Sequence, residues 1–298
     1  MKKEKLLLVC FVVLAIAVYF SLNHSTYKSP KTPIEGQEYY VQVTKTDGSV
    51  VSIELEEYVI GVVAGEMPAS FEKEALKAQA VATRTFVLSR DLVVDTTTSS
   101  QVYLDIETMK SNWGSQFDEY YHKIKAAVNE TKSLVLTYQG DYISALFFST
   151  SNGKTENNED YFNSVPVAYL RSVDSHWDLT VSDKIYQQKE FSISELKSIF
   201  NVSSLSFSII NYKDSGRVDS VNVSGTVYTG REIREKLGLS SNDFEILENG
   251  DSYIFSTTGF GHGVGMSQYG AQGMALEGYL YNQILEHYYS GVEITKLD

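Results

Sequence analysis

A single glutamate, Glu66, stands among Val62, Val63, Ala64 and Met67, immediately before Pro68. A carboxyl held in apolar surroundings keeps its proton to higher pH than an exposed one, and a protonated carboxyl is a general acid. The pattern around it predicts a helix from about Glu56 to Glu66. The proline predicts that this helix stops near Met67, because a residue preceding proline is pushed out of the α region. Glu66 then lies at a helix C-terminus, where the backbone dipole adds to burial in disfavouring the anion. The next helix, from Ser70 to about Arg90, carries Glu72 and Glu74 in its first turns and a small-residue stripe of Ala75, Ala78 and Ala82 that admits another backbone. Gln79 and Arg84 are its polar exceptions.

Two further segments concentrate polar chemistry. The run Ser149-Thr150-Ser151-Asn152-Gly153-Lys154 follows an apolar stretch that reads as a buried strand, a common place for a scaffold to present functional side chains. It offers hydroxyl, amide and ammonium groups suited to sugar. The run GFGHGVGMSQYG carries His262, Ser267 and Gln268. Its alternating glycines lack both the dinucleotide-binding spacing and the Lys-Ser/Thr ending of a phosphate loop. His24, His122, His176, His262 and His287 are scattered without metal-ligand spacing, which argues against a zinc hydrolase.

Residues 57–90 together with STSNGKTENNEDYF and GFGHGVGMSQYGAQGMA resemble the stage II sporulation protein D family, whose domain is shared with amidase-enhancer proteins. The similarity runs from about Val41 to the C-terminus. The resemblance implies a peptidoglycan lytic transglycosylase that cleaves the β-1,4 bond between N-acetylmuramic acid and N-acetylglucosamine. It implies that Glu66 is the catalytic acid and that Gln79, Arg84, Ser149, Ser151, Asn152, Lys154, His262, Ser267 and Gln268 line a glycan cleft, with Lys154 facing a lactyl carboxylate. It further implies action on peptide-stripped strands during forespore engulfment, with a cell-wall amidase and a membrane protein of the same complex as partners. A more typical family pattern has His and Gly where this chain has Phe148 and Asn152. Some members bind a metal through cysteines and a histidine before a Gln-x-Tyr. Here Thr96 to Ser100 supply neither, so no metal and no cofactor are expected. The alternative function is non-enzymatic: an amidase enhancer that binds denuded glycan or the amidase.

Composition limits the partners. The 298 residues are 43% hydrophobic, enough for a sizeable core, and carry a net charge of −13. Residues 1–22 contribute +2, so the remainder carries −15, which excludes nucleic acid or a broad anionic lipid surface. Any site for an acidic glycan must therefore contain locally placed cations, with Lys154, Arg84 and Arg171 as candidates. The lysine-rich start, residues 1–5, followed by an apolar run at 6–22, reads as a cytoplasmic stub and a transmembrane anchor. Residues 23–38 read as a linker and 39–298 as an extracytoplasmic domain facing the wall. Cys10, the single cysteine, lies in the apolar run without a convincing lipidation box, so the outer domain has no disulfide.

The elements that must position these groups read as an α+β mixture forming a single domain with a cleft. A hairpin turning at Asp47-Gly48 precedes the Glu66 helix. A helix then a strand follow in DEYYHKIKAAVNETKSLVLTYQG, and residues 91–115 read as turn-rich. Beyond the serine-rich loop, FSISELKSIF reads as a helix, Ser206 to Val227 as strands around Asp214-Ser215-Gly216, and GREIREKLGL as a helix ended by Gly238. Helices and strands mix without strict βαβ alternation, which favours α+β over a doubly wound sheet.

Overall fold

The computed structural model describes residues 38–45, 47–95 and 101–297. The expected anchor, Cys10, residues 23–37 of the expected linker and Thr96–Ser100 lie outside the described residues. Among the described residues no helix is long and apolar enough to cross a membrane.

The chain opens with the expected hairpin, β1 (Tyr40–Thr44) and β2 (Val50–Glu54), with Tyr40 opposite Glu54 and Gly48 at φ 82° in the turn. Helix α1 (Leu55–Glu66) follows directly and ends where Pro68 requires: Met67 is extended, at φ −116° and ψ 144°. Helix α2 (Lys73–Leu88) begins three residues later than the sequence suggested. Phe71 instead closes a turn on Pro68, its N–H donating to that carbonyl at 3.0 Å, and the Glu72 N–H donates to Gln272 Oε1 at 2.6 Å. Strand β3 (Val93–Asp95) pairs parallel to β1; the region expected to be turn-rich contains α3 (Ile106–Trp113) and runs into a short 3-10 turn, after which α4 (Phe117–Glu130) forms where a helix was expected.

The stretch expected as one buried strand is divided. After β4 (Leu134–Tyr138) only β5 (Asp141–Tyr142) and β6 (Phe147–Phe148) form, two residues each. The intervening Ile143 and Ala145 are buried as side chains, so apolar content there reflects core packing rather than ladder pairing. The chain continues through α5 (Asn158–Phe162), α6 (Asp178–Val181), β7 (Tyr186–Ser192), α7 (Ile193–Phe200), β8 (Phe207–Tyr212), β9 (Val218–Val223) and β10 (Thr226–Thr229). It closes with α8 (Gly230–Leu237), β11 (Phe244–Asn249), β12 (Ser252–Thr258), β13 (Met266–Ser267), α9 (Gln268–Leu276), α10 (Tyr281–Tyr288) and β14 (Glu293–Lys296). Gly238 terminates α8 in the left-handed region at φ 59°, as its position predicts.

Two cores result, and the α+β reading holds. The larger is built on α2, which packs against α1, α4, α9 and α10. Ala75, Ala78 and Ala82 are fully buried there, the close approach that a small-residue stripe permits. The smaller core, with Leu196, Phe200, Val221, Ile233, Phe244 and Phe255, fills a lobe made of the sheets β11-β12-β7 and β10-β9-β8 with α7 and α8. The chain stays on the first core through α6, builds this lobe from β7 onward, and returns as β13, which pairs parallel to β6. That pairing brings the serine-rich and glycine-rich segments together across more than a hundred residues.

Glycines on α1 prepare the remaining wall. Gly61 and Gly65 share one face of the helix, four residues apart. A Cβ at Gly65 would fall 2.5 Å from the Val102 carbonyl oxygen, and one at Gly61 2.2 Å from the Tyr103 ring. The segment 102–104 thus lies directly on the helix backbone, with the Leu104 N–H donating to Gly61 O at 3.0 Å. Gly65→Ala forces this segment away and is expected to destabilise the protein by about 1–3 kcal/mol, measured by chemical denaturation. An unchanged midpoint would show that the seam tolerates displacement.

Candidate active site

Glu66 is the last residue of α1 and is half-buried. The glycine seam delivers the Val102 N–H to it: that amide donates to Glu66 Oε1 at 2.7 Å. The Gln268 side chain, at the first position of α9, lies near enough to the carboxyl to favour its anion. Burial raises the Glu66 pKa above the ordinary glutamate value, while these two groups act against it. No charged group among the described residues contributes to that shift. The raised value is therefore a consequence of desolvation, as the apolar sequence context predicts.

Gln79 stands behind this arrangement. It is fully buried on α2, donating from Nε2 to Thr83 Oγ1 at 3.2 Å and receiving a long 3.5 Å contact from Gln268 Nε2. Glu66, Gln268 and Gln79 thus form a continuous polar line from one helix end to the middle of the next. Each of the three is a separate candidate in the sequence, and the fold places them side by side.

The serines have a different task. Asp178, fully buried at the start of α6, accepts four hydrogen bonds: from Ser151 N and Oγ, both at 2.9 Å, from Ser175 Oγ at 2.6 Å and from Ser267 Oγ at 2.5 Å. Ser175 is in turn hydrogen-bonded to the buried Tyr288 hydroxyl at 2.7 Å. Ser151 and Ser267, expected to touch substrate, are completely buried with their protons committed to Asp178. Ser149 alone of the three candidate serines stays half-buried; its carbonyl receives the Tyr269 N–H at 3.0 Å, fixing the serine loop to α9.

Asn152 is likewise occupied. Its Nδ2 donates to Ser215 O at 3.0 Å and to Asp243 Oδ2 at 2.8 Å, tying the serine loop to the smaller lobe. Beneath it the fully buried Arg217 donates from Nη2 to Lys154 O at 3.0 Å and lies 3.9 Å from the buried Glu156 carboxylate. Lys154 itself is exposed. Arg84 is withdrawn from the site. It is fully buried, forks onto Glu56 at 2.9 and 2.6 Å, and donates to Leu134 O at 2.9 Å. Glu56 is ten residues from Glu66 on the same helix, about 15 Å along its axis. Arg171 is half-buried and paired with Glu159, with Nη1 to Oε1 at 2.7 Å.

His262 props the loop rather than the acid. Its Nδ1 accepts the Val264 N–H at 3.0 Å, and its ring lies 5.7–5.8 Å from the rings of Phe148, Tyr161 and Phe162. Burial first, then the charges of Arg234, Arg217 and Arg231, lower its pKa to about 4, against a raising hydrogen bond with the Phe147 backbone. It is a neutral imidazole at physiological pH. Phe148, where the typical family pattern has histidine, supplies one wall of this box.

Among the described residues no group of three His, Cys, Asp or Glu is placed to hold a metal ion. Sequence reasoning missed Asp178, the Glu156–Arg217 pair and the Val102 amide. Gln101-Val102-Tyr103 carried a weak signal as a Gln-x-Tyr. Asp178 carried none, because its partners are 3, 27 and 89 residues away.

These features define a mixed α+β protein whose helix-terminal carboxyl is joined to a glycine-rich loop. The family model described as stage II sporulation protein matches residues 43–138. Stage II sporulation protein D of Bacillus subtilis (strain 168) is 45% identical over 265 residues, covering 84% of this chain and 77% of that protein. Its namesake in Bacillus amyloliquefaciens is 44% identical over 265 residues, covering 84% and 76%. The amidase enhancer of Bacillus subtilis (strain 168) is 30% identical over 293 residues, covering 79% of this chain and 40% of that protein. The chain belongs to the stage II sporulation protein D family.

Two outcomes test the site. Asp178→Ala leaves three buried hydroxyls and one amide without their acceptor and is expected to cost about 3–5 kcal/mol of stability by chemical denaturation. A loss under 1 kcal/mol would remove Asp178 from its organising place. Gln268→Leu removes a side-chain amide that favours the Glu66 carboxylate, so the Glu66 pKa rises further. A carboxyl-resolved NMR titration reads that shift, and a fall instead of a rise would contradict that placement of Gln268.

Proposed function

We propose that the protein is a peptidoglycan lytic transglycosylase with Glu66 as its acid and base, cleaving the β-1,4 bond between N-acetylmuramic acid and N-acetylglucosamine in peptide-stripped strands. The observation that carries this reading is the Glu66 carboxyl itself: one acid at a helix C-terminus, its pKa raised by burial, with the Val102 amide and the Gln268 side chain, both neutral, beside it. Ordinary glycoside hydrolysis needs a second carboxylate as nucleophile or as activator of water. An intramolecular displacement needs only one.

Glu66, protonated, gives its proton to the glycosidic oxygen as the bond to the muramic anomeric carbon breaks. The resulting carboxylate then takes the proton of the muramic C6 hydroxyl as that oxygen bonds to the same anomeric carbon. The products are a new non-reducing N-acetylglucosamine end and a 1,6-anhydromuramic end, with no water added and Glu66 restored. The Val102 amide and Gln268 serve the second half of this cycle, since they favour the anion, while burial serves the first. His262, Lys154 and Ser149 remain candidate glycan contacts on the glycine-rich and serine-rich loops. Ser151, Asn152 and Ser267 act by holding those loops in place.

The proposed setting is the outer face of the cell membrane during forespore engulfment, with the N-terminal run as anchor and a cell-wall amidase and a membrane protein as partners. The family name and the sporulation proteins that the chain resembles support it. The amidase enhancer among its relatives supports a second reading, in which the protein binds denuded glycan or the amidase without cleaving.

Mass spectrometry of peptide-free strands incubated with the protein and with Glu66→Gln separates the two. Ends of 1,6-anhydromuramic acid formed only by the unmutated protein are expected; intact strands despite measured binding would favour the enhancer. Stability supplies an independent reading. A carboxyl whose pKa is raised in the fold contributes stability below its unfolded pKa, near the ordinary value of 4.5, and loses it as pH rises through the folded value. Glu66→Gln is therefore expected to melt above the unmutated protein at pH 8, with the gap closing on acidification. A gap that widened towards low pH would refute the raised pKa.

A further inference from the structure

One surface region opposes the acidic character of the chain and is used by none of the chemistry above. Helix α8 of the smaller lobe places Arg231 and Arg234 against α5. The Arg231 guanidinium carbon lies 5.0 Å from the Tyr161 ring centre and 5.6 Å from that of Phe162. Arg234 donates from Nη1 to the Tyr161 hydroxyl at 2.6 Å and from Nε to Ser240 O at 3.3 Å. Ser240 O also receives the Gly261 N–H at 2.9 Å, so the arginine is braced on the same carbonyl as the glycine-rich loop. Phe162 meets Tyr161 edge to face at 4.9 Å and leaves 37% of its surface exposed beside the guanidinium.

We propose that Arg231 and Arg234, with the exposed edge of Phe162, form a subsite for a carboxylate carried next to an apolar group on a wall fragment, separate from the bond-cleaving residue Glu66. The identification of the ligand as a wall fragment rests on the proposed function; the anion site itself does not.

Three features support it. First, the donors are free: Arg231 uses only Nε, in a 2.7 Å contact with Glu235, and Arg234 uses Nε and Nη1, so both Nη groups of Arg231 and Nη2 of Arg234 have no partner among the described residues. The Glu235 pair is itself 39% and 54% exposed, a kind of contact worth little and readily exchanged. Second, the guanidinium groups are held in advance, on ring faces and by the Tyr161 hydroxyl, which reduces the ordering that a forked carboxylate contact requires. Third, the field is positive. The charges acting most strongly on the neighbouring His262 ring are Arg234, Arg217 and Arg231, all of which push its pKa down. The nearby acids are engaged elsewhere: Glu159 with Arg171, Asp160 with Lys213, and Glu156 with Arg217 and Ser215.

Two wall carboxylates meet this description. The lactyl group of muramic acid carries a carboxylate beside a methyl group, and it is ionised only where the peptide stem has been removed, because the stem is attached through it. A stem peptide ends instead in a carboxylate beside its own side chain. A subsite for the first would read whether a strand has been stripped; a subsite for the second would read the reverse.

The test uses the full-length chain carrying Glu66→Gln, so that binding is read without turnover and independently of whether the protein cleaves. Isothermal titration is run with a peptide-free tetrasaccharide of alternating N-acetylglucosamine and N-acetylmuramic acid, the same strand with its stems, and chitotetraose, which has no carboxylate. Adding Arg231→Gln is expected to weaken one carboxylate-bearing ligand about tenfold and to leave chitotetraose unchanged. Loss confined to the peptide-free strand assigns the lactyl group; loss confined to the stem-bearing strand assigns the peptide. The His262 ring resonances should move on binding of the same ligand and not in the Arg231 variant. Equal loss for all three ligands, or none for any, overturns the proposal. Arg231 is exposed enough for its replacement to fold, and a parallel Arg231→Lys variant, which keeps charge but not the fork, should fall between the two.

Discussion

Asp178 is a carboxylate without access to water, and burying one is tolerable only when its lone pairs are met by donors. Here four donors from three serines meet it, and those serines belong to segments far apart in the chain. Ser151 belongs to the loop after β6, Ser267 to β13 and the cap of α9, and Ser175 to the approach to α6. Satisfying one buried charge therefore closes the larger core around the inserted lobe. It also fixes where α9 begins. Because Gln268 follows Ser267 directly, the same closure sets the Gln268 amide against Glu66.

The site is thus assembled from two close approaches. One is this closure, which brings the glycine-rich segment to the acid. The other is the Gly61–Gly65 seam, which lets residues 102–104 lie on α1 and aims the Val102 amide at the same carboxyl. Both supply neutral donors. A neutral donor moderates the effect of burial without fixing the group as an anion, whereas an arginine in that place would hold Glu66 ionised. Arg84 is indeed close in sequence, yet its fork is committed to Glu56 at the other end of the helix. The result is a carboxyl able to hold a proton and also to exist as a stabilised anion, the two states that a single acid–base residue must visit.

The polar residues of the serine-rich loop divide between support and surface. Asn152 and Ser151 face inward, to Asp243 and Asp178, and hold the loop to both cores; Lys154 faces solvent and Ser149 lies between. Positive charge comes from α8 of the smaller lobe, where Arg231 lies against the same Tyr161 and Phe162 rings that flank the His262 imidazole. A lobe apart from Glu66 thereby contributes local cations to an otherwise acidic protein.

The sequence alone determined the local elements and the character of the acid. Pro68 ended α1 at Met67, Asp47-Gly48 turned the first hairpin, Gly238 closed α8, and the apolar context of Glu66 pointed to the raised pKa that burial produces. Each depends on residues within a few positions, where backbone sterics and desolvation act through neighbours that the sequence displays. Tertiary structure decided which polar side chains remain available. Ser149 and Ser151 are two residues apart and chemically identical, yet one is half-buried and the other fully committed to Asp178. Arg84 and Lys154 are both cations in candidate segments, yet one is buried in an ion pair and the other exposed. A polar group is satisfied by whichever partner the fold places beside it, and for Asp178 those partners lie up to 89 residues away. No local pattern encodes that distance; it is fixed only when β6 and β13 pair and the buried carboxylate gathers its serines.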